Sequence, residues 1–345
     1  MSESSPTLTG TSTPSVSVII PMYNSVEFIE KCVRSLMEQT LEDLELIFID
    51  DASTDGTLNA LENTLEFYPE TKKLIKIIKH PQNKGVSLSR KEGMHKATGE
   101  WVIHCDSDDY VEPYMYERML RVAYEEKSDM VICSFNLFGN GLKSLKKIQG
   151  DGEISSEELL GGIFGTQERE FHGSLCNKLI KKAYLTDIKL PSDLSYCEDS
   201  LTLHQISQKF KKIIVIPDIL YHYRQRNGSL VRRDSDIMER QARSLIAYLN
   251  DNKANLSQKR QNELRSLIIS VLHRVAQGSK DKKAFSNKYK IYLSSLNINK
   301  RLNYFERLFL KQSLKGNIFK ANLVGYCNHV GKKYIKKLLN LYRNI

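Results

Sequence analysis

Three carboxylates fall within four positions in Asp106-Ser107-Asp108-Asp109, directly after the apolar run Trp101–Cys105. Like charges so close repel one another, so stability alone gives no reason to gather them at a strand end. Hard oxygen ligands of this kind suit Mg²⁺ or Mn²⁺, with a phosphate completing the shell. The other reading is a polar turn that caps the next helix, since Asp favours such positions and Pro113 suits a first helical turn. A second acidic pair, Glu198-Asp199, precedes the apolar positions Leu201, Leu203 and Ile206. At the start of a helix such a pair gains about 0.3–1 kcal/mol from the helix dipole and needs no catalytic role to explain it. His222 lies between Tyr221 and Tyr223 and just before Arg224. It is a candidate third metal ligand, or a histidine satisfied within its own fold.

These residues need elements to position them, and the first third of the chain supplies a regular alternation. Val16–Ile20 is a β-branched apolar run ended by Pro21, which reads as a strand buried on both faces. Asn24 or Ser25 can cap a helix whose apolar face is Phe28, Ile29, Cys32, Val33 and Leu36. Strands at Leu44–Ile49, about Leu74–Ile78 and Trp101–Cys105 alternate with helices at about 58–65 and 87–97. The pattern predicts an α/β fold, a mostly parallel, Rossmann-like sheet with helices on both faces. In such sheets ligands bind beyond the carboxyl ends of the strands, where strand order reverses. The polar clusters PMYN, DDASTDGT, NKGVSLSR and DSDD each follow one of the four strands, so they share one rim. Together they predict a nucleotide pocket. A fifth strand is expected at Met130–Ser134, a glycine-rich mobile acceptor-side region up to about Ser174, a helix over Ser174–Leu185 and a strand at Lys212–Ile216.

The order and spacing of these motifs over about residues 16–233 resemble family 2 glycosyltransferases of the GT-A fold, and in particular members that assemble bacterial polysaccharides. The resemblance implies an inverting transfer from a UDP-sugar, with the tyrosine of the first loop, Tyr23, stacked on uracil and Asp51 on the base edge. It implies donor contacts from Pro21, Lys84, Arg90, Asp106, Arg224 and Ser229 as well. Asp106 and Asp108 match the DxD motif and, with His222, would hold Mn²⁺ or Mg²⁺, while Asp199 matches the position of the general base. Lys91 departs from the pattern, since many members carry Asn there. The roles of Asp109 and Glu198 stay open. Chemistry agrees with the base assignment, because a carboxylate accepts from the imide N–H of uracil and a tyrosine ring offers a stacking face.

Composition bounds the alternatives. The 345 residues are 41% hydrophobic and 27% charged, ordinary values for a globular protein. The net charge of +10 sits in the tail: Lys300–Ile345 holds eleven Lys and Arg against Glu306 alone, and the rest is balanced at forty of each sign. With no reader module, the chain is not expected to bind nucleic acid. Six cysteines without CxxC spacing read as reduced core residues, which fits a cytoplasmic protein. Residues 1–15 read as a disordered leader, 16–233 as the GT-A domain and 234–345 as a helical region, with helices at roughly 236–250, 256–277, 281–296 and 303–313. At the end, Tyr334, Leu338, Leu341, Tyr342 and Ile345 form one helical face and Lys332, Lys333, Lys336, Lys337 and Arg343 the other. That face predicts an anionic membrane surface as a partner, at the inner side of the cell membrane, or else packing on a protein. The expected substrates are a nucleotide-sugar donor and a glycan or lipid-linked acceptor. A glycoside hydrolase would leave the four strand-end clusters unused. A non-catalytic scaffold recruited to membranes and a polyprenyl-phosphate sugar synthase remain the rival readings.

Overall fold

The computed structural model describes residues 14–165, 167, 169–226, 235–278 and 288–289. They divide into two compact units with interleaved segments, where the sequence suggests a single cut after 233. The first unit takes the described part of Met1–Glu153, then Leu175–Asp187 and Lys211–Arg224; the second takes the described parts of Ile154–Ser174, Ile188–Phe210 and Gln225–Ile345.

In the first unit the predicted alternation is present: β1 (Val16–Met22), α1 (Val26–Met37), β2 (Leu44–Asp50), α2 (Thr57–Leu65), β3 (Leu74–Lys79), α3 (Val86–Lys96) and β4 (Trp101–His104). Every residue of β1, β2 and β4 is buried, as continuous apolar runs require. These strands stand in the order β3-β2-β1-β4 and pair in parallel. The chain therefore steps outward from β1 to β3 and returns to β1's other side, so the order reverses between β1 and β4. α3 lies close on this layer: a Cβ on Gly93 would come within 2.4 Å of Ile19 Cγ2.

The remainder departs from the predicted pattern. β5 (Tyr110–Val111), α4 (Met115–Glu125), β6 (Met130–Gly139), β7 (Leu142–Lys147) and β8 (Gly152–Ile154) follow, then β9 (Lys178–Lys181) and β10 (Ile213–Arg224). Beyond β4 the order is β9-β6-β10-β5. β9 is antiparallel to both neighbours, and β10 is parallel to β6. The helix expected over Ser174–Leu185 is thus replaced by a strand and a single 3₁₀ turn at Lys182–Tyr184. The slot between β4 and β6 decides this, because a strand there pairs both edges while Leu179 and Ile180 are fully covered. The expected loss of regularity after Ser134 is likewise corrected. β6 continues to Gly139 and turns through Asn140 and Gly141, at φ of 52° and 73°, into antiparallel β7. Pro217 does not end its strand, since β10 absorbs it with register shifts between Val215 and Tyr221.

The second unit holds α5 (Ser156–Phe164), α6 (Glu198–Ile206), α7 (Ser235–Asn252) and α8 (Gln258–Gly278). Ser155 caps α5, its Oγ accepting from the Glu158 N–H at 3.0 Å. Ser266 of α8 donates to the Phe164 carbonyl at the end of α5. The helices expected at 281–296 and 303–313 and the basic terminal face lie outside the described residues, as do residues 1–13. Among the described residues no helix is long and apolar enough to cross a membrane.

One buried charge makes a stability prediction. Glu45 of β2 is fully covered and accepts from the Ser17 hydroxyl, from Lys76 and from Thr98 at 2.7 Å (N–H) and 2.9 Å (Oγ1). Burial pushes its pKa up, but Lys76, Ser17 and Thr98 outweigh it, so the carboxyl is held below the usual range. A depressed folded pKa contributes stability above the unfolded value and loses it as pH falls through the folded one. Glu45→Gln is therefore expected to cost about 1–3 kcal/mol at pH 7. The gap to wild type should narrow on acidification. Urea melts at pH 7 and pH 3 check both; an equal gap at the two values refutes the assignment.

Candidate functional site

At the strand-order reversal the loops after β1 and β2 are stitched together. Asp51 N donates to the Met22 carbonyl at 2.9 Å, and Thr54 N to Asn24 Oδ1 at 2.9 Å. Asn24 takes a left-handed φ of 48°, a conformation Asn tolerates better than most residues. Ser25 occupies the N-cap of α1, yet its side chain does not cap; its Oγ meets Ser107 Oγ at 2.7 Å. The cap comes from the neighbouring loop, where Asp55 accepts from the Val26 N–H at 3.0 Å and from Thr57. Burial works against the Asp55 charge, but these donors hold its pKa below the usual range. Pro21 lies in β1 opposite Ile49, and Tyr23 beside it is 48% exposed.

Asp51 is the centre of the first cluster. Its Oδ1 accepts from the Lys84 N–H at 2.8 Å and lies 2.7 Å from His80 Nδ1, and its Oδ2 accepts from the Gly85 N–H at 2.8 Å. Gly85 can present this N–H because its φ of 89° suits glycine. The other ring nitrogen of His80 lies 2.9 Å from Glu92 Oε2. Hydrogen bonding to His80 is the main reason that the Glu92 carboxyl is held low. Lys84 Nζ stands 3.8 Å from the same carboxylate.

The triple-aspartate run divides its work. Asp106 Oδ1 pairs at 2.6 Å with the buried Arg90 of α3, and the Asp106 N–H reaches Tyr221 Oη at 3.2 Å. Asp109 is buried, accepting from Tyr221 Oη at 2.5 Å and from the Arg224 N–H at 2.7 Å. Burial first, then the charges of Asp108 and Asp106, push its pKa well up. Asp108, half-buried, receives Arg224 Nε on its carbonyl at 2.8 Å. The Arg224 guanidinium packs between the Phe28 and Phe138 rings, at 4.8 and 4.7 Å. Beside it Lys31 Nζ sits 3.5 Å over the Tyr110 ring. Burial and the nearby Arg224 charge lower the Lys31 pKa.

The chemistry of this run fits a divalent cation. Mg²⁺ is held by one or two carboxylates together with substrate phosphates, and three carboxylates within four positions offer hard oxygen donors of that kind. Asp106 and Asp108 are the carboxylates of the DxD spacing that would hold it. His222 is engaged otherwise. Its Nε2 lies 2.7 Å from Glu112 Oε1, its Nδ1 lies 3.4 Å from Asn136, and its ring stacks on Tyr110 at 4.2 Å. Among the described residues no group of three or more His, Cys, Asp or Glu is assembled to hold an ion. Ser229 lies outside the described residues.

Glu198 and Asp199 belong to the second unit, in the first turn of α6 as expected, and are 6% and 8% exposed. Cys197 before them has a left-handed φ of 70°, a strained value for a residue with a Cβ. The guanidinium of Arg274, from α8, stands 5.4 Å from the Tyr196 ring. Gly173 comes so close to this helix that a Cβ would meet Ser200 Oγ at 2.3 Å. Sequence reasoning missed His80, Glu92, Lys31, Tyr221 and Arg274. Only His80 left a trace, as a polar residue right after a strand whose neighbours end in ligand-type loops.

The family model described as Glycosyl transferase family 2 matches residues 17–188. The cholesterol galactosyltransferase of Borreliella burgdorferi is 33% identical over 224 residues, 62% of this chain and 61% of that one. The poly(ribitol-phosphate) beta-glucosyltransferase of Bacillus spizizenii is 30% identical over 230 residues, 65% of this chain and 33% of that one. This chain thus spans less than two thirds of either relative. Among solved structures, S. aureus TarS 1-349 in complex with UDP-GlcNAc superposes with a TM-score of 0.66 at 22% identity, covering 93% of each chain. The likeness identifies the fold as GT-A.

Proposed function

The chain belongs to glycosyltransferase family 2, and from that premise we propose that it moves a hexosyl or N-acetylhexosaminyl unit from a UDP-sugar to a hydroxyl of a glycan or lipid-linked glycan. The setting is assembly of a bacterial surface polysaccharide, at the inner face of the cell membrane. One observation carries the donor reading: Asp51, with its carboxylate fixed by two loop N–H groups, and the Asp106–Asp109 run flank a single strand-order reversal. Asp51 would accept from the uracil imide, Tyr23 would stack on the ring, and Lys84, Arg90 and Asp106 would line the nucleoside. Arg224, stacked on two aromatic rings beside Lys31, would meet the diphosphate. Asp106 and Asp108 would hold Mn²⁺ or Mg²⁺, which neutralises charge gathering on the leaving diphosphate. Asp199 would take the proton of the acceptor hydroxyl, and a single displacement would invert the anomeric centre. The TarS complex with UDP-GlcNAc supports the donor class, and the beta-glucosyltransferase acting on poly(ribitol-phosphate) supports a surface-polymer hydroxyl as acceptor. The galactosyltransferase acting on cholesterol has a different acceptor, so relatives of this chain differ in the acceptor they use.

A thermal-shift panel of UDP-, GDP- and CMP-sugars, each with Mn²⁺ or with chelator, tests this. A UDP-sugar at a hundred times its Kd should add about 2.7 kcal/mol to stability and raise Tm by a few degrees, with Mn²⁺ present. A shift from GDP- or CMP-sugars alone would overturn the donor assignment.

A further inference from the structure

His80 has no role in the proposed reaction, yet it is 6% exposed and lies between two carboxylates, 2.7 Å from Asp51 Oδ1 and 2.9 Å from Glu92 Oε2. Its own N–H donates to the Asp50 carbonyl at 2.9 Å, which ties the end of β3 to the end of β2. The carboxylate of Asp51 has about four acceptor positions. Three are used: His80 and the Lys84 N–H on Oδ1, the Gly85 N–H on Oδ2. A single acceptor position remains, on Oδ2. A carboxylate can turn freely about its last torsion, and that torsion has only broad wells. Lys84 and Gly85 give two backbone donors from the end of the β3–α3 loop; His80, at the start of the same loop, adds a side-chain contact on Oδ1 that restrains this torsion. Glu92 holds the imidazole from behind, in the way an outer carboxylate orients a histidine at a metal site.

We propose that His80 is a positioning residue for nucleobase choice: it turns Asp51 so that its one open acceptor position meets a single ring N–H, the donor that an imide such as uracil presents. Cytosine offers a bare ring nitrogen at the same place, and an ionised carboxylate cannot donate to it. Selection by a fixed acceptor is the kind of discrimination a site achieves when a mismatched base leaves its polar group unpaired. The proposal rests on the reading of Asp51 as the base contact, and its test separates the two.

Two substitutions dissect the imidazole. His80→Asn places an amide N–H where Nδ1 stands, keeping the bond to Asp51 and losing Glu92. His80→Gln reaches the Nε2 position, keeping Glu92 and losing Asp51. Calorimetric titration with UDP, CDP and inorganic pyrophosphate, in Mn²⁺, gives a base-selectivity ratio and a base-independent control. H80N should hold the UDP:CDP ratio within about threefold of wild type, and H80Q should reduce it by about tenfold or more, with pyrophosphate affinity unchanged in both. Equal changes in the two variants, or a fall in Tm with the ratio intact, would mean that His80 only packs. If H80Q does not fold, His80→Ala, which also removes the contact to Asp51, serves in its place: a reduced ratio supports the proposal and an unchanged one overturns it. Asp51→Asn should abolish selectivity. If it does not, the base-contact reading fails; if it does while H80Q keeps the ratio, only the role of His80 fails.

Discussion

Asp199→Asn is expected to lower kcat by about 10²–10⁴-fold while the Kd for UDP changes by no more than about threefold. The residue lies in the first turn of α6, where the helix dipole favours a carboxylate. Asn keeps the volume and can still accept a hydrogen bond, but it cannot take up a proton. The substitution therefore isolates proton transfer from shape. Burial of Asp199 at 8% exposure makes a folding defect the competing explanation, so the measurement pairs kcat with the urea midpoint. A loss of rate with an unchanged midpoint supports the general base. Glu198→Gln, its neighbour in the same turn, should cost far less, since a purely electrostatic role of the pair would make the two variants alike. Unchanged kcat in Asp199→Asn would remove the base assignment and return the pair to a helix-capping role.

Parts of this architecture could be read from residue order because local pattern and tertiary role coincide. The strands β1, β2 and β4 are buried on both faces, and buried parallel strands read as continuous apolar runs. β9 illustrates the opposite case. Leu175, Leu179 and their neighbours are spaced as a helix would space them, and only the two open strand edges of β4 and β6 make a strand the better solution. Asn140-Gly141 was a legible hairpin signal, but the surrounding glycines made the stretch look irregular. The second unit was hidden for a related reason. α5 and α6 precede the long helices in sequence, but the buried Leu159, Leu160 and Phe164 of α5 need the cover of α8, which only contacts reveal. In the candidate site, Asp51, Arg90 and Asp106 were named through the family resemblance of their motifs. Their partners were not: Tyr221 reaches Asp109 from 112 positions away, and His80 reaches Asp51 from 29.

Asp108 is the carboxylate of the DxD spacing proposed to hold the cation together with Asp106. Asp109 accepts from Tyr221 and the Arg224 N–H, and Asp106 is paired with Arg90; the DxD spacing makes Asp108 the proposed ligand to test first. Asp108→Asn is accordingly expected to lower kcat by about 10²–10³-fold, the scale on which removal of one preorganised charge-stabilising group is felt. Rate alone would not identify the cause, and linkage supplies a sharper test. If Mn²⁺ and UDP share a site, Mn²⁺ strengthens UDP binding by the same factor by which UDP strengthens Mn²⁺ binding. Wild-type protein should show this coupling in calorimetry as a loss of UDP affinity on chelation. In Asp108→Asn the coupling factor should fall toward one, with chelator and Mn²⁺ giving nearly the same UDP affinity. Tyr221→Phe, which removes the hydroxyl that donates to Asp109 and accepts from the Asp106 N–H but keeps both proposed ligand carboxylates, should leave coupling in place. Full coupling in Asp108→Asn would show that the cation is held elsewhere, and the division of labour among the three carboxylates would have to be reassigned.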